Sequence, residues 1–146
     1  MLIRAMQTQD LPVVHENEAA AYPLPWSLQQ LADCLTAHYQ CLVIEKDKKI
    51  IGHAIGYSVV NEYHLLNICI HPNEQRHGYA EQLMFYITEH AKQSGVDVMW
   101  LEVRESNERA RALYQKLEFI EFDRRKKYYP TQSGHEDAII LVRYLH

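Results

Sequence analysis

The sequence predicts an α+β domain with a mixed, mostly antiparallel sheet. Apolar runs of strand length alternate with stretches of helical periodicity in the order β-α-α-β-β-β-α-β-α-β-β. No repeat, linker or low-complexity segment interrupts this order over the 146 residues. A helical stretch lies between two strand-like runs, and such a crossover joins parallel strands. We therefore expect a single domain, residues 1–146, in which seven strands and four helices surround one parallel strand pair.

The first elements are one strand and two helices. Leu2 to Met6 has the composition of a short strand. Thr8 can cap a helix that runs to about Glu18. Ser27 and Gln30 then have the spacing of a capping box, in which each side chain bonds the other residue's amide at the start of a second helix.

Three strand-like runs follow, and the short polar turns between them predict an antiparallel meander. The runs are Cys41 to Lys46, Ile50 to Val60 and Tyr63 to Ile70. Helical periodicity returns from Gly78 to Ser94 and stops before Gly95, where a glycine commonly ends a helix.

The last third of the chain predicts a strand, a helix and a hairpin. The strand is Val96 to Arg104, and Ser106 is the expected cap of a helix that ends near Leu117. Phe119 to Tyr129 and Ala138 to Leu145 are typical of paired strands, with Pro130 to Glu136 as the polar loop between them.

Composition excludes several classes of protein. Hydrophobic residues make up 47% of the chain and charged residues 23%, which is typical of globular domains. No apolar run approaches the ~20 residues of a membrane span, and the opening residues lack a signal-peptide pattern. The net charge of −4 disfavours nonspecific nucleic-acid binding, and three cysteines without a Cys-x-x-Cys pair fit a reducing compartment. We expect a cytoplasmic monomer that contacts neither a membrane nor nucleic acid directly.

The turn from His71 to Ala80 has the features of an anion site. It joins an apolar strand to a helix, and the first amides of a helix lack internal partners and carry partial positive charge. Arg76 adds a mobile charge, and Gly78 lets a ligand approach the main chain. The alternative is a tight turn that binds nothing, since the full glycine patterns of dinucleotide folds and P-loops are missing.

Glu102 is the first candidate for chemistry. Strand alternation places Trp100, Glu102 and Arg104 on one face, opposite the apolar side chains of the same strand. A carboxylate in an apolar strand is costly to bury unless it is paired or used. It therefore either forms an ion pair with a nearby arginine or takes part in a reaction.

Asn107 and Tyr114 lie on the helix that follows. Asn107 falls in its first turn, where a polar side chain can cap the helix or reach a ligand. Tyr114 lies two turns later on the same face, and its ordinary alternative is a half-buried helix tyrosine.

Metal and nucleophile chemistry receive no support from the sequence. Nine histidines include no H-E-x-x-H or comparable spacing, so we predict no metal. Cys69 lies in an apolar strand and is better explained as core filling. A Ser/His/Asp site would need a nucleophile elbow, which is missing.

Together these stretches resemble the GCN5-related N-acetyltransferase (GNAT) family. Gln75-Arg76-His77-Gly78-Tyr79-Ala80 is similar to its Q/R-x-x-G-x-G/A acetyl-CoA loop, and the element order matches its fold over almost the whole chain. A closer resemblance is to the bacterial branch that acetylates the N-terminal alanine of a ribosomal protein. Four stretches carry it: Pro25-Trp26-Ser27; Trp100-Leu101-Glu102-Val103-Arg104 with Ser106-Asn107; Ala112-Leu113-Tyr114; and Tyr128-Tyr129-Pro130-Thr131 with Glu136-Asp137-Ala138-Ile139-Ile140.

The resemblance implies a role for each matching residue. Glu102 is similar to the family's general base and Tyr114 to its general acid. The parallel strands would splay around acetyl-CoA as the acetyl donor, with no metal. The cofactor contacts implied are the main chain of Cys69 and Ile70, the loop residues Gln75, Arg76, His77, Gly78, Tyr79 and Ala80, and Asn107. Direct attack by the acceptor amine needs no enzyme nucleophile.

The implied acceptor is a protein N-terminus, and specifically that of a ribosomal protein. The family binds this peptide between the segment Tyr22 to Trp26 and the hairpin that carries Tyr128, Tyr129, Glu136 and Asp137. Its acidic pair would suit a basic peptide, whereas ordinary packing is the alternative for its aromatic side chains. Two other functions stay open: acetylation of a lysine or small amine, and a non-catalytic acyl-CoA-binding module.

Three residues depart from the usual family pattern. Ala80 stands in place of the more usual second glycine of the loop, which the motif allows. Glu81 stands where close relatives carry a basic residue, so its charge could weaken CoA binding. Glu118 replaces the usual glycine after the last helix, so that helix must end without the residue best suited to a left-handed conformation.

Overall fold

Seven strands form one sheet in the order β1-β2-β3-β4-β5-β7-β6 in the computed structural model, which describes residues 1–145. The strands are β1 (Leu2–Ala5), β2 (Gln40–Lys46), β3 (Lys49–Val59), β4 (Glu62–Ile70), β5 (Val98–Arg104), β6 (Ile120–Thr131) and β7 (Gly134–Tyr144). The α-helices are α1 (Leu11–Ala21), α2 (Leu28–Asp33), α3 (Tyr79–Gln93) and α4 (Glu108–Lys116). The predicted mixed sheet with four helices is confirmed.

The parallel pair is β4 and β5, and it is short. Glu62 to Leu65 pair with Val98 to Leu101, after which the two strands diverge. A bulge at Leu66 shifts the register of β4 against β3 where the separation begins. A bulge bends its strand and raises the local twist, which moves the end of β4 away from β5. The result is a V-shaped gap between the two strands, as predicted.

Hydrophobic side chains cover both faces of the sheet. In β2, Ile44 packs into the cluster under α3, whereas Val43 packs into the cluster under α1 and α2. The apolar positions of α3, such as Leu83 and Ile87, recur at helical spacing and are almost fully buried. Both edges of the gap are therefore built on packed elements.

Several helix boundaries follow from local hydrogen bonds. Ser27 Oγ accepts from the Gln30 amide 3.1 Å away, which confirms the capping box. The first helix, predicted to start at Thr8, starts at Leu11 because Asp10 accepts the Gln7 amide and closes a separate 3₁₀ turn first. Ser106 was also the wrong cap for α4, since Asn107 accepts the Ala110 amide 3.2 Å away.

The final hairpin is longer than predicted. Pro130 to Glu136 was expected to be a loop, but β6 continues to Thr131 and β7 begins at Gly134. Pairs such as Tyr129 with Glu136 extend the ladder almost to the turn. Polar composition suggested a loop because an edge hairpin exposes most of its side chains.

Within residues 1–145, no helix has the length and apolar character needed to cross a membrane.

Candidate active site

The main chain of β4 forms one wall of the gap. The His71 amide donates to the Ile51 carbonyl on β3 at 2.8 Å. Main-chain groups alternate between the two sides of a strand, so Cys69 also faces β3, whereas Ile68 and Ile70 face the gap. The main chain of Cys69, expected to contact the cofactor, therefore faces β3, and Ile68 is the neighbouring residue that faces the gap. The main-chain contact expected for Ile70 stays a prediction.

Two side chains bond these gap-facing carbonyls. The Tyr22 hydroxyl donates to the Ile68 carbonyl, and Gln75 Nε2 donates to the Ile70 carbonyl at 2.9 Å. Arg109, from α4 on the other side of the gap, donates to Gln75 Oε1. The motif predicted Gln75 as a loop residue, but only the tertiary structure brings Arg109 to it.

The start of α3 has the geometry of an anion site. Gly78 is its N-cap in a left-handed conformation (φ 81°) and no side chain caps the helix. Arg76 is also left-handed, at φ 69°. Apart from Gly78 and its chain neighbours, no described atom lies within 4 Å of where a β-carbon on Gly78 would be, so a ligand can approach the main chain. The first amides, at Tyr79 and Ala80, adjoin this open space.

The charge of Glu81 is offset locally. Its carboxylate pairs with Lys116 from α4 at 2.9 Å, and on the other side of the loop Glu74 pairs with Lys46 at 3.3 Å. His77 bonds the Glu74 carbonyl rather than a carboxylate. Lys116 on α4 thus offsets the negative charge of Glu81 near the expected cofactor. The sequence motif did not predict this ion pair.

Glu102 lies at the end of the paired part of β5, on the predicted face. Its carboxylate accepts the Tyr129 hydroxyl at 2.6 Å and lies 3.5 Å from Arg125 Nε. The side chain retains 27% exposure, so solvent and a small ligand can reach it. The ion pair that sequence left open as an alternative is present, but its Arg125 partner is 54% exposed and such pairs contribute little.

Tyr114 is almost fully buried, with 4% exposure. Burial raises the pKa of its hydroxyl above the ordinary value. Burial also raises the pKa of Tyr22, and the nearby Tyr114 hydroxyl adds to that shift. Because Tyr22 bonds the gap-facing Ile68 carbonyl, Tyr114 lies near the gap and stays protonated there.

Asn107 caps α4, and its contact with the cofactor stays a prediction. Its Oδ1 caps α4, while its Nδ2 group has no protein partner among residues 1–145. The cap fixes the side chain and leaves a donor for a ligand.

The carboxylates of Glu136 and Asp137, the predicted acidic pair of the hairpin, accept hydrogen bonds from other groups of the protein. Glu136 accepts the Ser106 amide at 2.9 Å and the Ser106 hydroxyl at 2.7 Å, and the amide bond lowers its pKa. Asp137 accepts the Lys127 amide at 3.1 Å, which lowers its pKa, and pairs with Lys126. Direct recognition of a basic peptide by these two carboxylates is therefore not supported.

The hairpin tyrosines occupy different environments. Tyr129 is half-buried and its hydroxyl contacts Glu102. The Arg104 guanidinium lies over the Tyr129 ring, with its Cζ 4.2 Å from the ring centre. Burial and the bond to Glu102 raise the pKa of Tyr129. Tyr128 is half-exposed beside it and within 5.1 Å of Arg125.

Sequence reasoning missed a buried polar cluster under the segment Tyr22 to Trp26. Glu18, with 1% exposure, accepts the Trp26 amide at 3.0 Å and Asn67 Nδ2 at 3.1 Å. His53 Nε2 lies 3.3 Å from the same carboxylate. Burial raises the pKa of Glu18, but these three bonds outweigh it and the pKa is lowered overall. No spacing signal marks the cluster, since its members come from α1, β3 and β4.

Glu18, His53 and Cys69 also bring three potential metal-ligand atoms within 4.8 Å of one another. The Glu18 oxygens already accept the three bonds just described, and Cys69 Sγ donates to the Asn17 carbonyl at 3.5 Å. The Glu18 and Cys69 atoms are therefore used in hydrogen bonds, whereas His53 Nδ1 is buried without a partner among residues 1–145. Trp26 itself packs against the apolar cluster of α1 and α2.

A splayed parallel pair, an uncapped helix start beside it and a carboxylate on the opposite strand are the arrangement expected of an acyl-CoA-dependent transferase. Comparison with known proteins agrees: the acetyltransferase (GNAT) family matches residues 3–119, and the chain belongs to that family. It is an N-acetyltransferase of the kind that uses acetyl-CoA as acetyl donor.

The most informative relatives are similar over nearly their whole length. The chain is 37% identical over 140 residues to the [ribosomal protein bS18]-alanine N-acetyltransferase of Escherichia coli K12, covering 96% of this chain and 95% of that one. It is 39% identical to the enzyme of the same name from Haemophilus influenzae, covering 99% of both. The crystal structure of the Escherichia coli ribosomal-protein-S18-alanine N-acetyltransferase superposes with a TM-score of 0.94 at 36% identity, covering 99% of this chain and 93% of that one.

Proposed function

We propose that this protein transfers the acetyl group of acetyl-CoA to the N-terminal α-amine of a protein, with the N-terminal alanine of ribosomal protein bS18 as acceptor. The observation that carries the proposal is the bond between Tyr129 and Glu102, which joins the hairpin to a carboxylate beside the gap. The relatives that share almost the full length of the chain, including this hairpin, are named for that acceptor. We also expect it to act as a cytoplasmic monomer.

The gap fits the acetyl donor. The main chain of Ile68 and Ile70 would hold the pantetheine arm as an added strand, and the amides from Gln75 to Ala80 would hold the pyrophosphate. The free Nδ2 of Asn107 would add a donor. When bound, acetyl-CoA supplies an activated thioester, which reacts with a neutral amine.

Glu102 would act as general base. An α-amine has a reference pKa of roughly 8, so near neutral pH most of it is protonated and cannot attack a thioester. The carboxylate can accept that proton directly or through one water. The bond from Tyr129 fixes the carboxylate, and its partial exposure keeps it accessible to the amine. We assign Tyr22, Trp26 and Tyr128 to the surroundings of the peptide.

Tyr114 would act as general acid. The attacking nitrogen forms the amide bond while the carbon–sulfur bond breaks, and the departing thiolate takes the phenolic proton. The raised pKa of the buried hydroxyl keeps it protonated before the reaction. Glu102 takes the first proton from the ammonium group and releases it to solvent. The nitrogen loses a second proton as the amide forms, and this proton replaces the one that Tyr114 gave to the thiolate, so the active site regains its starting protonation.

A peptide panel tests the acceptor. The protein is incubated with acetyl-CoA and three peptides: the bS18 N-terminus, the same peptide with its α-amine blocked, and a lysine-bearing peptide with a blocked N-terminus. Mass spectrometry should locate one acetyl group on the free alanine amine and none on the other two peptides. Acetylation of the lysine alone would reject the Nα proposal, and binding of acetyl-CoA without transfer to any amine would indicate a non-catalytic module.

A further inference from the structure

Arg109 forms a connection across the gap that the proposed mechanism does not use. It lies in the first turn of α4, on the β5 side, and donates to Gln75 Oε1. The other end of the Gln75 amide donates to the Ile70 carbonyl on β4 at 2.9 Å. The bonded series Arg109–Gln75–Ile70 therefore spans the space in which the pantetheine arm would lie.

Among the residues that the structure describes, no carboxylate pairs with the charge on Arg109. Both acidic residues nearest the loop are paired elsewhere, Glu74 with Lys46 and Glu81 with Lys116. Within residues 1–145, Arg109 bonds only the neutral amide of Gln75, and Arg76 has no partner. Two uncompensated guanidinium groups therefore flank the uncapped start of α3, where partial positive charge is already present.

We propose that Arg109 is a further acetyl-CoA-binding residue that contacts a phosphate of the coenzyme. The inference rests on the proposed use of acetyl-CoA. A pantetheine arm that pairs with the Ile70 carbonyl competes with the Gln75 amide for that oxygen, and movement of the Gln75 amide away from Ile70 also releases Arg109. A guanidinium presents a planar fork of donors that matches phosphate oxygens, so the released side chain gains a charge-assisted partner.

The exchange makes a prediction for Arg109. Arg109→Ala removes the phosphate contact and should weaken CoA binding by about tenfold, the effect of one hydrogen bond to a charged group.

Isothermal titration calorimetry with three ligands tests the assignment. CoA carries all the phosphates, dephospho-CoA lacks the 3′-phosphate, and S-acetylpantetheine has neither the 3′-phosphate nor the pyrophosphate. Arg109→Ala should lose affinity for CoA and keep wild-type affinity for S-acetylpantetheine. A loss that persists with dephospho-CoA assigns the contact to the pyrophosphate, and a loss that disappears assigns it to the 3′-phosphate.

Arg143→Ala is the matched control, because it removes the same side chain and charge from β7. Its CoA affinity should equal that of the wild type, and thermal unfolding verifies that each variant is folded. An equal loss for CoA and S-acetylpantetheine in Arg109→Ala would overturn the assignment, as would wild-type affinity for CoA. Neither outcome bears on the acceptor, and a wild-type chain that binds no CoA would refute the proposed function itself.

Discussion

Replacing Glu102 with glutamine tests the base while disturbing little else. The substituted side chain has nearly the same shape, and its carbonyl oxygen can still accept the Tyr129 hydroxyl that lies 2.6 Å from the carboxylate. The ion pair with Arg125 is lost, but both partners are partly exposed. Such pairs contribute about 0–1 kcal/mol, so the variant should fold normally.

The expected effect on rate depends on pH. General base catalysis contributes about 10²–10⁴-fold, so turnover near pH 7 should fall by that order. For an α-amine of pKa roughly 8, about one molecule in eleven is neutral at pH 7 and about ten in eleven at pH 9. The variant depends on amine that is already neutral, so its rate should rise about tenfold over this range. The wild type should rise less.

Steady-state acetylation of the bS18 peptide between pH 6.5 and 9 measures this difference. The raised pKa of Tyr114 keeps the proposed acid protonated across that range, so its titration does not distort the profile. Glu89→Gln is the control, because that partly exposed glutamate lies on α3 and, among residues 1–145, pairs only with Lys92. A Glu102→Gln profile with the same shape as the wild-type profile would refute the assignment of the base.

Three further substitutions test other parts of the structure. Tyr114→Phe should lower kcat by about 10²-fold while acetyl-CoA affinity in calorimetry stays near the wild-type value; a variant that no longer binds acetyl-CoA would make Tyr114 a cofactor contact. Glu18→Gln should reduce the free energy of unfolding at pH 7 by about 2 kcal/mol, since the carboxylate loses bonds to its buried partners. The pKa of Glu18 is lowered in the folded state, so its contribution to stability is present above the unfolded pKa near 4.3 and disappears as the pH falls through the folded pKa. The unfolding free energies of the wild type and Glu18→Gln, measured by urea titration, should therefore converge in acid. A difference that is constant with pH would contradict this account. Glu118 adopts φ 70°, a left-handed conformation that glycine tolerates better than residues with a β-carbon do. Glu118→Gly should therefore stabilise the protein by about 1 kcal/mol, whereas Glu118→Ala should not. Equal effects of the two substitutions in denaturant titrations would exclude backbone strain as the cause.

The order of elements and the position of the cofactor loop could be predicted because their signals are local. Helical spacing in α3, the capping box at Ser27 and the left-handed Gly78 each depend on residues a few positions apart. The errors also have local causes. The predicted caps were Thr8 and Ser106, but Asp10 and Asn107 accept the main-chain amides instead. In each case two residues close together in the sequence have side chains able to accept an amide, so spacing alone did not choose between them.

The residues that complete the site come from tertiary contacts. Glu136 is 30 positions from the Ser106 amide that it accepts, and Arg109 is 34 positions from Gln75. An acidic pair in a hairpin therefore suggested a peptide contact, although its carboxylates are used to hold neighbouring loops. The sequence has no period or spacing that reports such distances.

By itself the sequence determined the family, and it predicted the proposed cofactor loop and the two candidate catalytic side chains. Each is encoded in short stretches, whose conformation follows from hydrogen bonding within the stretch and from the side a strand or helix presents. Only the tertiary structure decided which main-chain groups of β4 face the gap, since that depends on pairing with β3. It also decided that Tyr129 meets Glu102 and that Arg109 reaches Gln75, because folding brings together strands and helices that are far apart in the chain.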